Sequence, residues 1–524
     1  MIKEVEFQDE SFEVMRVSAT LDGDLPRTYR EAMCDSDSEK WCEAIQKELR
    51  SMSDMQVWEE HEVLPEQHIL GTRWVFTIKH DSEGKAIHHK ARIVVQGHRQ
   101  IKGIEFEETF APTPTFASLR CLFAIASKLH WEVQTFDVTT AYLHSGLEEF
   151  IYVCPPQGLI TEQNKVLRLK KALYGLKQAG RCWWQHLREI LSNVSFEPNM
   201  EDQSTYIYAR GNNRALLWIH VDDGVLSASS MNLMNDLKVK LKERLLLKWD
   251  VGIHSIVGIE VRRTGNNFYF SQPTLSKKIR QSHPSNIMAE QPLPEINLEL
   301  GPAVKLDKNY LSKIGVLLYL AQATRPDLMY SVNYLACFSM NTTKAHCSAL
   351  ENLINYLRGT QNNSLKIKAN DNWEGLETYV DANWGGEALR SQHGFIGFLW
   401  GSPVTWNSKR QTCVASLTCQ AEYMALSFAA RAGIWLSQTI GVIHKGIVPI
   451  LISDNKAAIQ IASDSGSKKN SRHIQREFHL INELLTKKQV MISWTKSEEQ
   501  KADIFTKKLG KLKVKRFNED IFGG

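Results

Sequence analysis

Apolar positions near the start of the chain recur at helical spacing. Trp41, Ile45 and Leu49 share one face of a segment, Tyr29–Ser53, that the pattern predicts as helix. From Gly71 the period shortens to that of strands, with Trp74–Lys79 and Lys90–Gln96 flanking a Glu83-Gly84 turn. Further strands are expected near Trp131–Asp137 and Ala215–Asp222, and helices at Ser118–Lys128 and Ala179–Leu191. His283–Val304, rich in Pro, Glu and Asn, reads as a linker. A helical block follows from Tyr310 to Arg358. From about Trp373 strands and helices alternate in a unit of roughly 150 residues, near the usual size of a domain.

A length of 524 residues exceeds one core, which implies two to four domains. With 43% apolar and 23% charged residues, such domains need neither disulfides nor a structural metal. The longest apolar runs, such as Val316–Ala321, are too short to cross a bilayer, and the opening MIKEVEFQDE lacks the pattern of a secretory signal. Nine scattered cysteines without a CxxC pair argue for reduced thiols and against a zinc finger. A net charge of +4 says little about partners, but its distribution says more. Between Gln163 and Arg188 there is no acid, while Lys165, Arg168, Lys170, Lys171, Lys177, Arg181 and Arg188 accumulate, interleaved with Tyr174, Trp183 and Trp184. A second basic stretch runs from Phe505 to Arg516. Such stripes suit a phosphate backbone, and they equally suit a hydrated basic face.

Two carboxylate constellations carry candidate chemistry. In the first, Asp137 ends an apolar strand (FDVTTAYL), and Asp222-Asp223-Gly224 interrupts the apolar run LLWIHVDDGVL. Asp-Gly between apolar strands signals a hairpin. Two carboxylates about 4 Å apart repel by roughly 4 kcal/mol at an effective dielectric of 20, so a cluster of them is tolerable around divalent cations such as two Mg²⁺. A hydrated Asp-Asp-Gly turn is the plainer alternative, and spacing alone leaves both open.

Longer motifs add to this. KARIVVQGH (90–98), FEETFAP (106–112), FDVTTAYLHSGLEEFIYVCPPQG (136–158), RLKKALYGLKQAGR (168–181) and IHVDDGVL (219–226) resemble the reverse transcriptase of copia-type LTR retrotransposons. YLAQATRPDLMYSVNYLACF (319–338) and YLRGT (356–360) resemble the segment that joins polymerase to nuclease in that family. The resemblance runs from about Pro26 to Leu509. It implies that Asp137, Asp222 and Asp223 are polymerase metal ligands, with Asp223 the weaker. It also implies that Tyr142, five residues after Asp137, is an aromatic gate against the sugar 2′-hydroxyl, although a ring there also suits a core. Lys79 and Arg92 become candidates for the incoming triphosphate, Gln178 for the nucleotide pocket, and Val257-Gly258-Ile259-Glu260 for the turn that holds the primer end. His220 and Gly180 stand where the family usually has an aromatic and a proline, which puts fidelity and pocket stiffness in question rather than the acids.

The second constellation comprises Asp381 after a strand (TYVDANW), Glu422 near a helix start, Asp454 closing the strand ILISDN, and Asp503 opening the last helix (KADIFTK). Any one of these alone would be an ordinary surface carboxylate. Together with WNSKRQ (406–411), AEYMALS (421–427) and ADIFTK (502–507), they resemble the copia-type ribonuclease H. Thr418-Cys419-Gln420 departs from the family's usual run, and the loop before Asp503 lacks the histidine of retroviral nucleases. His473 either approaches the substrate or is structural. Asp464-Ser465-Gly466 spells an aspartic protease signature but reads as a loop, lacking any flanking protease pattern.

The expected fold is therefore α+β and multidomain: a right-hand polymerase of fingers, palm and thumb, a connection segment and an RNase H-like α/β domain. The expected boundaries are 1–68 (N-terminal helical extension), 69–282 (polymerase), 283–370 (linker and connection) and 371–524 (nuclease). The resemblance implies RNA- and DNA-directed DNA polymerase activity with RNase H, two Mg²⁺ per active site (Mn²⁺ as substitute) and deoxynucleoside triphosphate substrates. The implied partners are an RNA template, the RNA–DNA hybrid and a DNA or tRNA primer, with the element's integrase and capsid proteins as further candidates and no membrane. The expected location is the cytoplasm, within a virus-like particle, or the nucleus. A catalytically inactive nucleic-acid-binding remnant is the alternative; the presence of all seven acids argues against it.

Overall fold

A computed structural model describes residues 25–65, 67–80, 86–294, 308–370, 373, 375–385, 390–411, 415, 418–463 and 475–523. The Glu83-Gly84 turn, Asp464–Gly466, His473 and most of the second half of the expected linker lie outside the described residues.

The first helical segment is two helices, α1 (Tyr29–Cys34) and α2 (Ser38–Asp54). The break has a local cause: Asp35 is extended, and its carboxylate accepts the Asp37 backbone N–H at 2.8 Å, a side-chain competitor for helical bonding. Trp41, Ile45, Leu49 and Met52 of α2 are buried on the strands that follow. These are β1 (Trp58–Glu62), β2 (Ile69–Leu70) and a long hairpin of β3 (Thr72–His80) with β4 (Ala86–Val95). Helix α3 (Phe116–Leu129), capped by Thr115, leads to β5 (Glu132–Val138), β6 (Gly146–Val153), β7 (Lys165–Lys171) and α4 (Ala179–Asn193). Strands β1, β7, β6 and β2 form one sheet, which with β3–β4 makes the fingers.

The palm adds β8 (Phe196–Pro198), β9 (Thr205–Arg210), β10 (Asn213–His220), β11 (Asp223–Ala228), α5 (Met231–Lys242) and β12 (Leu247–Trp249). Its six-stranded sheet runs β12-β5-β11-β10-β9-β8 and is antiparallel throughout. Period-two alternation divides it between two cores. Leu217 and Ile219 face α4 and α5, whereas Leu216 and Trp218 face α3. The thumb-side sheet follows: β13 (Ser255–Ile256), β14 (Ile259–Thr264) and β15 (Asn267–Ser271), then α6 (Pro273–Gln281). The described part of the expected linker is strapped down, with Leu293 buried and Asn352 donating to the carbonyls of Gln291 and Pro292.

The helical block is α7 (Lys308–Ala323), α8 (Met329–Ala336) and α9 (Lys344–Gly359), ending in β16 (Leu365–Ile367), which closes the thumb-side sheet beside β15. The nuclease part contains β17 (Leu376–Asn383), β18 (Gln392–Leu399), β19 (Ser402–Arg410), α10 (Thr418–Gly441), β20 (Pro449–Ser453), α11 (Lys456–Ser463), α12 (Gln475–Thr486), β21 (Met491–Trp494) and α13 (Lys511–Phe522). The sheet order is β19-β18-β17-β20-β21, with β17–β19 antiparallel and β17, β20 and β21 parallel. This is an RNase H-like α/β arrangement.

One face of that sheet is covered by its own α10, through Ala421, Ala425 and Ala429. The other face is not closed by the nuclease alone. Ile396, Phe398, Val404 and Trp406 join a core shared with Leu119 and Phe123 of α3 and Leu317 and Leu320 of α7. Each such large apolar side chain gains about 1.5–3 kcal/mol on burial, so palm, connection and nuclease are joined by a true core.

Candidate active sites

Strands β5 and β11 set the first site. Their register places Asp223 directly opposite Asp137, and directly opposed antiparallel residues share a face. Like charges so placed are destabilising by themselves, which gives this donor set its affinity for cations. The hairpin turn is not at Asp223-Gly224, as the sequence suggests, but two residues earlier. His220 pairs with Asp223, leaving Val221-Asp222 as the two-residue loop. Val221 takes a left-handed φ of 56°, strained for a β-branched residue. Trp183 Nε1 donates to the Val221 carbonyl at 2.8 Å, and the Val138 N–H donates to that of Asp222 at 2.7 Å, so the strained tip is held from both sides. Gly224 is needed for packing: a Cβ there would lie 2.2 Å from the Phe136 ring. The side chains of Asp137, Asp222 and Asp223 are not drawn together as tightly as the nuclease acids described below.

Around this tip lie the candidate nucleotide residues. Tyr142, in a 3-10 turn (Ala141–His144), is half-buried between the fingers and palm cores. Its ring stands edge-on to Tyr174, with centroids 4.8 Å apart, and the Arg92 guanidinium lies 5.5 Å from the Tyr174 centroid. Burial, with Asp222 adding, raises the Tyr174 phenol above its usual range. Tyr174 thus links Tyr142, Arg92 and Asp222. Gln178 is buried at 1% exposure: it donates to the Glu105 carbonyl at 2.7 Å and accepts from Gln100 at 3.0 Å. That places its amide in the scaffold beneath the pocket. Lys79 lies in β3 opposite His88; its side chain is outside those described. The Val257–Glu260 turn carries positive φ at Val257 and Gly258, and Tyr319 of α7 donates to the Val257 carbonyl at 2.5 Å. His220 stacks on Trp218, and a Cβ on Gly180 would make only ordinary contact with Ala111.

Three of the seven cations of the first basic stripe are paired with acids within the fingers. Lys170 and Arg168 pair with Glu59 at 2.7 and 3.2 Å, and Lys165 lies 3.7 Å from both Glu62 and Glu162. Two of these three acids, Glu59 and Glu62, come from β1, a strand remote in sequence, and Glu162 lies just before the run, which is why the run looked unbalanced.

In the nuclease, the register of β17 with β20 brings the Asp381 end of one strand beside the Asp454 end of the other. Helix α10 sets Glu422 above them in its first turns. The ligand atoms of Asp381, Glu422 and Asp454 all lie within 4.8 Å of one another, the one such group among the described residues. Asp381 and Glu422 are buried. Burial first, then Asp381 and Asp454, pushes the Glu422 carboxyl up to about 9. Burial, with Asp503 and Asp454 adding, raises Asp381 despite Lys507 nearby. Glu422 Oε2 is buried without a hydrogen-bond partner. Three converging hard carboxylate oxygens, on a set in which Glu422 keeps one oxygen without a partner, fit a divalent cation.

Asp503 does not open the last helix. It lies in a 3-10 turn (Lys501–Phe505) ahead of α13, and Phe505 of that turn packs onto Gly394, where a Cβ would come within 2.4 Å of the Phe505 Cβ. Asp503 is paired with Lys507 at 2.8 Å and Lys513 at 2.9 Å, outside the triad. Sequence reading missed Lys507, although its spacing four residues after Asp503 was a signal. It also missed the roles of Tyr174 and Tyr319, for which no periodic signal exists.

A right-hand polymerase fold carrying an acid-tipped palm hairpin and an RNase H-like sheet defines the reverse transcriptase class. Residues 55–287 match the reverse transcriptase (RNA-dependent DNA polymerase) family. The chain is 29% identical over 510 residues to the retrovirus-related Pol polyprotein from transposon RE1 of Arabidopsis thaliana, covering 95% of this chain and 34% of that protein. It is 29% identical over 506 residues to the Pol polyprotein from transposon TNT 1-94 of Nicotiana tabacum, covering 92% of this chain and 38% of that protein. Among solved structures, a foamy viral protease-reverse transcriptase in complex with double-stranded DNA is similar in fold, with a TM-score of 0.50 and 12% identity over 87% of this chain and 69% of that one. Residues 55–287 thus carry the reverse transcriptase match, the chain as a whole is similar to copia-type retrotransposon Pol polyproteins, and it spans just over a third of the length of the RE1 and TNT 1-94 polyproteins.

Proposed function

We propose that the chain synthesises DNA on RNA and DNA templates and cuts the RNA strand of the resulting hybrid. The observation that carries this reading is the presence of two separate carboxylate centres on sheets joined by one shared core: Asp137 opposite Asp223 on the palm, and the Asp381–Glu422–Asp454 triad in the nuclease. At the first, Asp137, Asp222 and Asp223 would hold Mg²⁺. Tyr142, backed by Tyr174, would lie against the incoming sugar, and Arg92 would take the triphosphate with its planar fork. The Val257–Glu260 turn, steadied by Tyr319, would position the primer end. At the second, Asp381, Glu422 and Asp454 would hold divalent cations, with Asp503 completing the set. Bound Mg²⁺ supplies charge neutralisation and activation of the attacking hydroxyl or water.

RNA template, RNA–DNA hybrid and a DNA or tRNA primer are the proposed partners, with integrase and capsid proteins of the same element alongside. A cytoplasmic virus-like particle, or the nucleus, is the proposed location. The test uses one purified preparation in Mg²⁺: extension of a primer on an RNA homopolymer, and cleavage of a labelled RNA–DNA hybrid. Both activities are expected. Binding of the hybrid with neither activity would overturn the reading in favour of an inactive nucleic-acid-binding remnant.

A further inference from the structure

Asp381 and Asp503, on different elements, share a counter-ion that belongs to the chain. Lys507 Nζ lies 2.8 Å from Asp503 Oδ1 and 3.4 Å from Asp381 Oδ2. Both carboxylates are almost wholly buried, at 4% and 6% side-chain exposure, whereas the Lys507 side chain is 38% exposed. Surface pairs at i,i+4 spacing contribute little. This lysine differs because it bridges two buried acids: Asp503 also keeps Lys513 at 2.9 Å on its Oδ2, whereas the ion pair of Asp381 is with Lys507, without which that buried acid would lose its cation. Its backbone is fixed nearby: Thr506 Oγ1 donates to Asp381 Oδ2, the Lys507 N–H donates to the Asp503 carbonyl at 3.2 Å, and Ser408 Oγ donates to the Phe505 carbonyl at 2.5 Å. The ammonium approaches from the solvent side, so it can leave without unpacking the core. Asp381 is therefore used twice, by the triad with Glu422 and Asp454 and by Lys507 on its Asp503 side.

We propose that Lys507 is the resident cation of one half of the nuclease centre: in the resting protein the Asp381–Glu422–Asp454 half takes a divalent ion, and the Asp381–Asp503 half is occupied by the lysine ammonium until bound nucleic acid draws it away. This rests on the nuclease reading above. A tethered single charge keeps the buried acids compensated while the site holds no substrate, and it makes full occupancy by divalent ions depend on the substrate's phosphates.

The experiment counts Mn²⁺ bound per chain without nucleic acid, by electron paramagnetic resonance and calorimetry. The background is Asp137→Asn/Asp222→Asn, which silences the polymerase centre. That background should bind one ion tightly. Lys507→Met should bind a second, its affinity raised on the order of tenfold or more by removal of one unit charge a few ångströms away. Lys507→Arg, which keeps the charge, should match the background. Should Lys507→Met fail to fold, Lys507→Met/Asp503→Asn removes both members of the buried pair and should bind its first ion more tightly, because Lys507 no longer draws on Asp381. Two ions of equal affinity in the background, or titrations unchanged in both variants, would overturn the proposal. Hybrid cleavage by the wild-type chain separates the two ideas. Cleavage with unchanged titrations rejects the role of Lys507 alone, and shifted titrations without cleavage reject the nuclease reading alone.

Discussion

The guanidinium of Arg120, on palm helix α3, lies 3.7 Å from the ring centroid of Trp406 in nuclease strand β19. Arg120 also donates through Nε to the Val404 carbonyl at 2.8 Å, and through Nη1 to the carbonyls of Gln322 and Ala323 at 2.8 and 2.9 Å. One buried side chain thus ties palm, connection and nuclease together. Burial pulls its guanidinium down to about 9, still protonated at neutral pH. Arg120→Met would fill much of the volume but strand three carbonyls, each costing about 1–3 kcal/mol. The expected loss is on the order of 3 kcal/mol or more, read in thermal or urea unfolding. A variant as stable as wild type would mean that Arg120 is not the tie.

The shared core makes a second expectation. Residues 371–523 expressed alone would uncover Ile396, Phe398, Val404 and Trp406, which are buried in the full chain. Such a fragment should bind a hydrophobic dye and lack near-ultraviolet circular dichroism, whereas the full chain should not bind the dye. A fragment that is monomeric and fully ordered would show that the nuclease closes its own second face.

The fold class was legible because strand and helix periods are local, and the palm hairpin and the nuclease acids stand at the ends of apolar strands. The break between α1 and α2 was not, because it depends on the Asp35 carboxylate bonding the Asp37 N–H rather than on apolar spacing. Nor was the turn at Val221-Asp222: Asp-Gly normally favours a hairpin turn, but Gly224 is taken up by packing on Phe136. The basic stripe could not be weighed without Glu59 and Glu62, which reach it only through the pairing of β1 with β7. The union of nuclease and palm was invisible for the same reason, since the partners of Arg120 lie more than 200 residues away.

Asp222→Asn should abolish primer extension and spare hybrid cleavage. Losing one metal-holding carboxylate costs several kcal/mol of transition-state stabilisation, and each 1.36 kcal/mol is about tenfold in rate, so a fall of roughly a thousandfold is expected. Stability should hold, because the change also relieves repulsion near Asp223. Extension within about tenfold of wild type sinks the assignment.

Tyr142→Ala should raise the ratio of ribonucleotide to deoxynucleotide incorporation by about tenfold, which corresponds to about 1.4 kcal/mol of lost discrimination. The ring stands edge-on to Tyr174, so its removal opens space without supplying attraction. Single-nucleotide insertion with both substrates measures it. An unchanged ratio would make Tyr142 only a packing residue between the fingers and palm cores.

Glu422→Gln should lose hybrid cleavage and keep extension, since the change touches only the nuclease triad and keeps side-chain size and helix propensity. It should also change how stability depends on pH in the presence of a chelator. In the folded chain the Glu422 carboxyl is pushed up to about 9 from an ordinary value of 4.5, first by burial and then by Asp381 and Asp454. A raised carboxyl binds its proton more tightly in the folded state than in the unfolded one. Its contribution is therefore fully present below the unfolded pKa and is lost as pH rises through the interval up to the folded pKa. The metal-free wild-type chain should accordingly lose thermal stability between about pH 5 and pH 9, and Glu422→Gln, which cannot ionise, should show a shallower decline. Mg²⁺ should reverse the wild-type trend, because a cation favours the carboxylate, and its binding should release protons that calorimetry in two buffers can count. Parallel melting curves for the two proteins across that range, with no proton release on adding Mg²⁺, would mean that Glu422 is already ionised and does not respond to a metal.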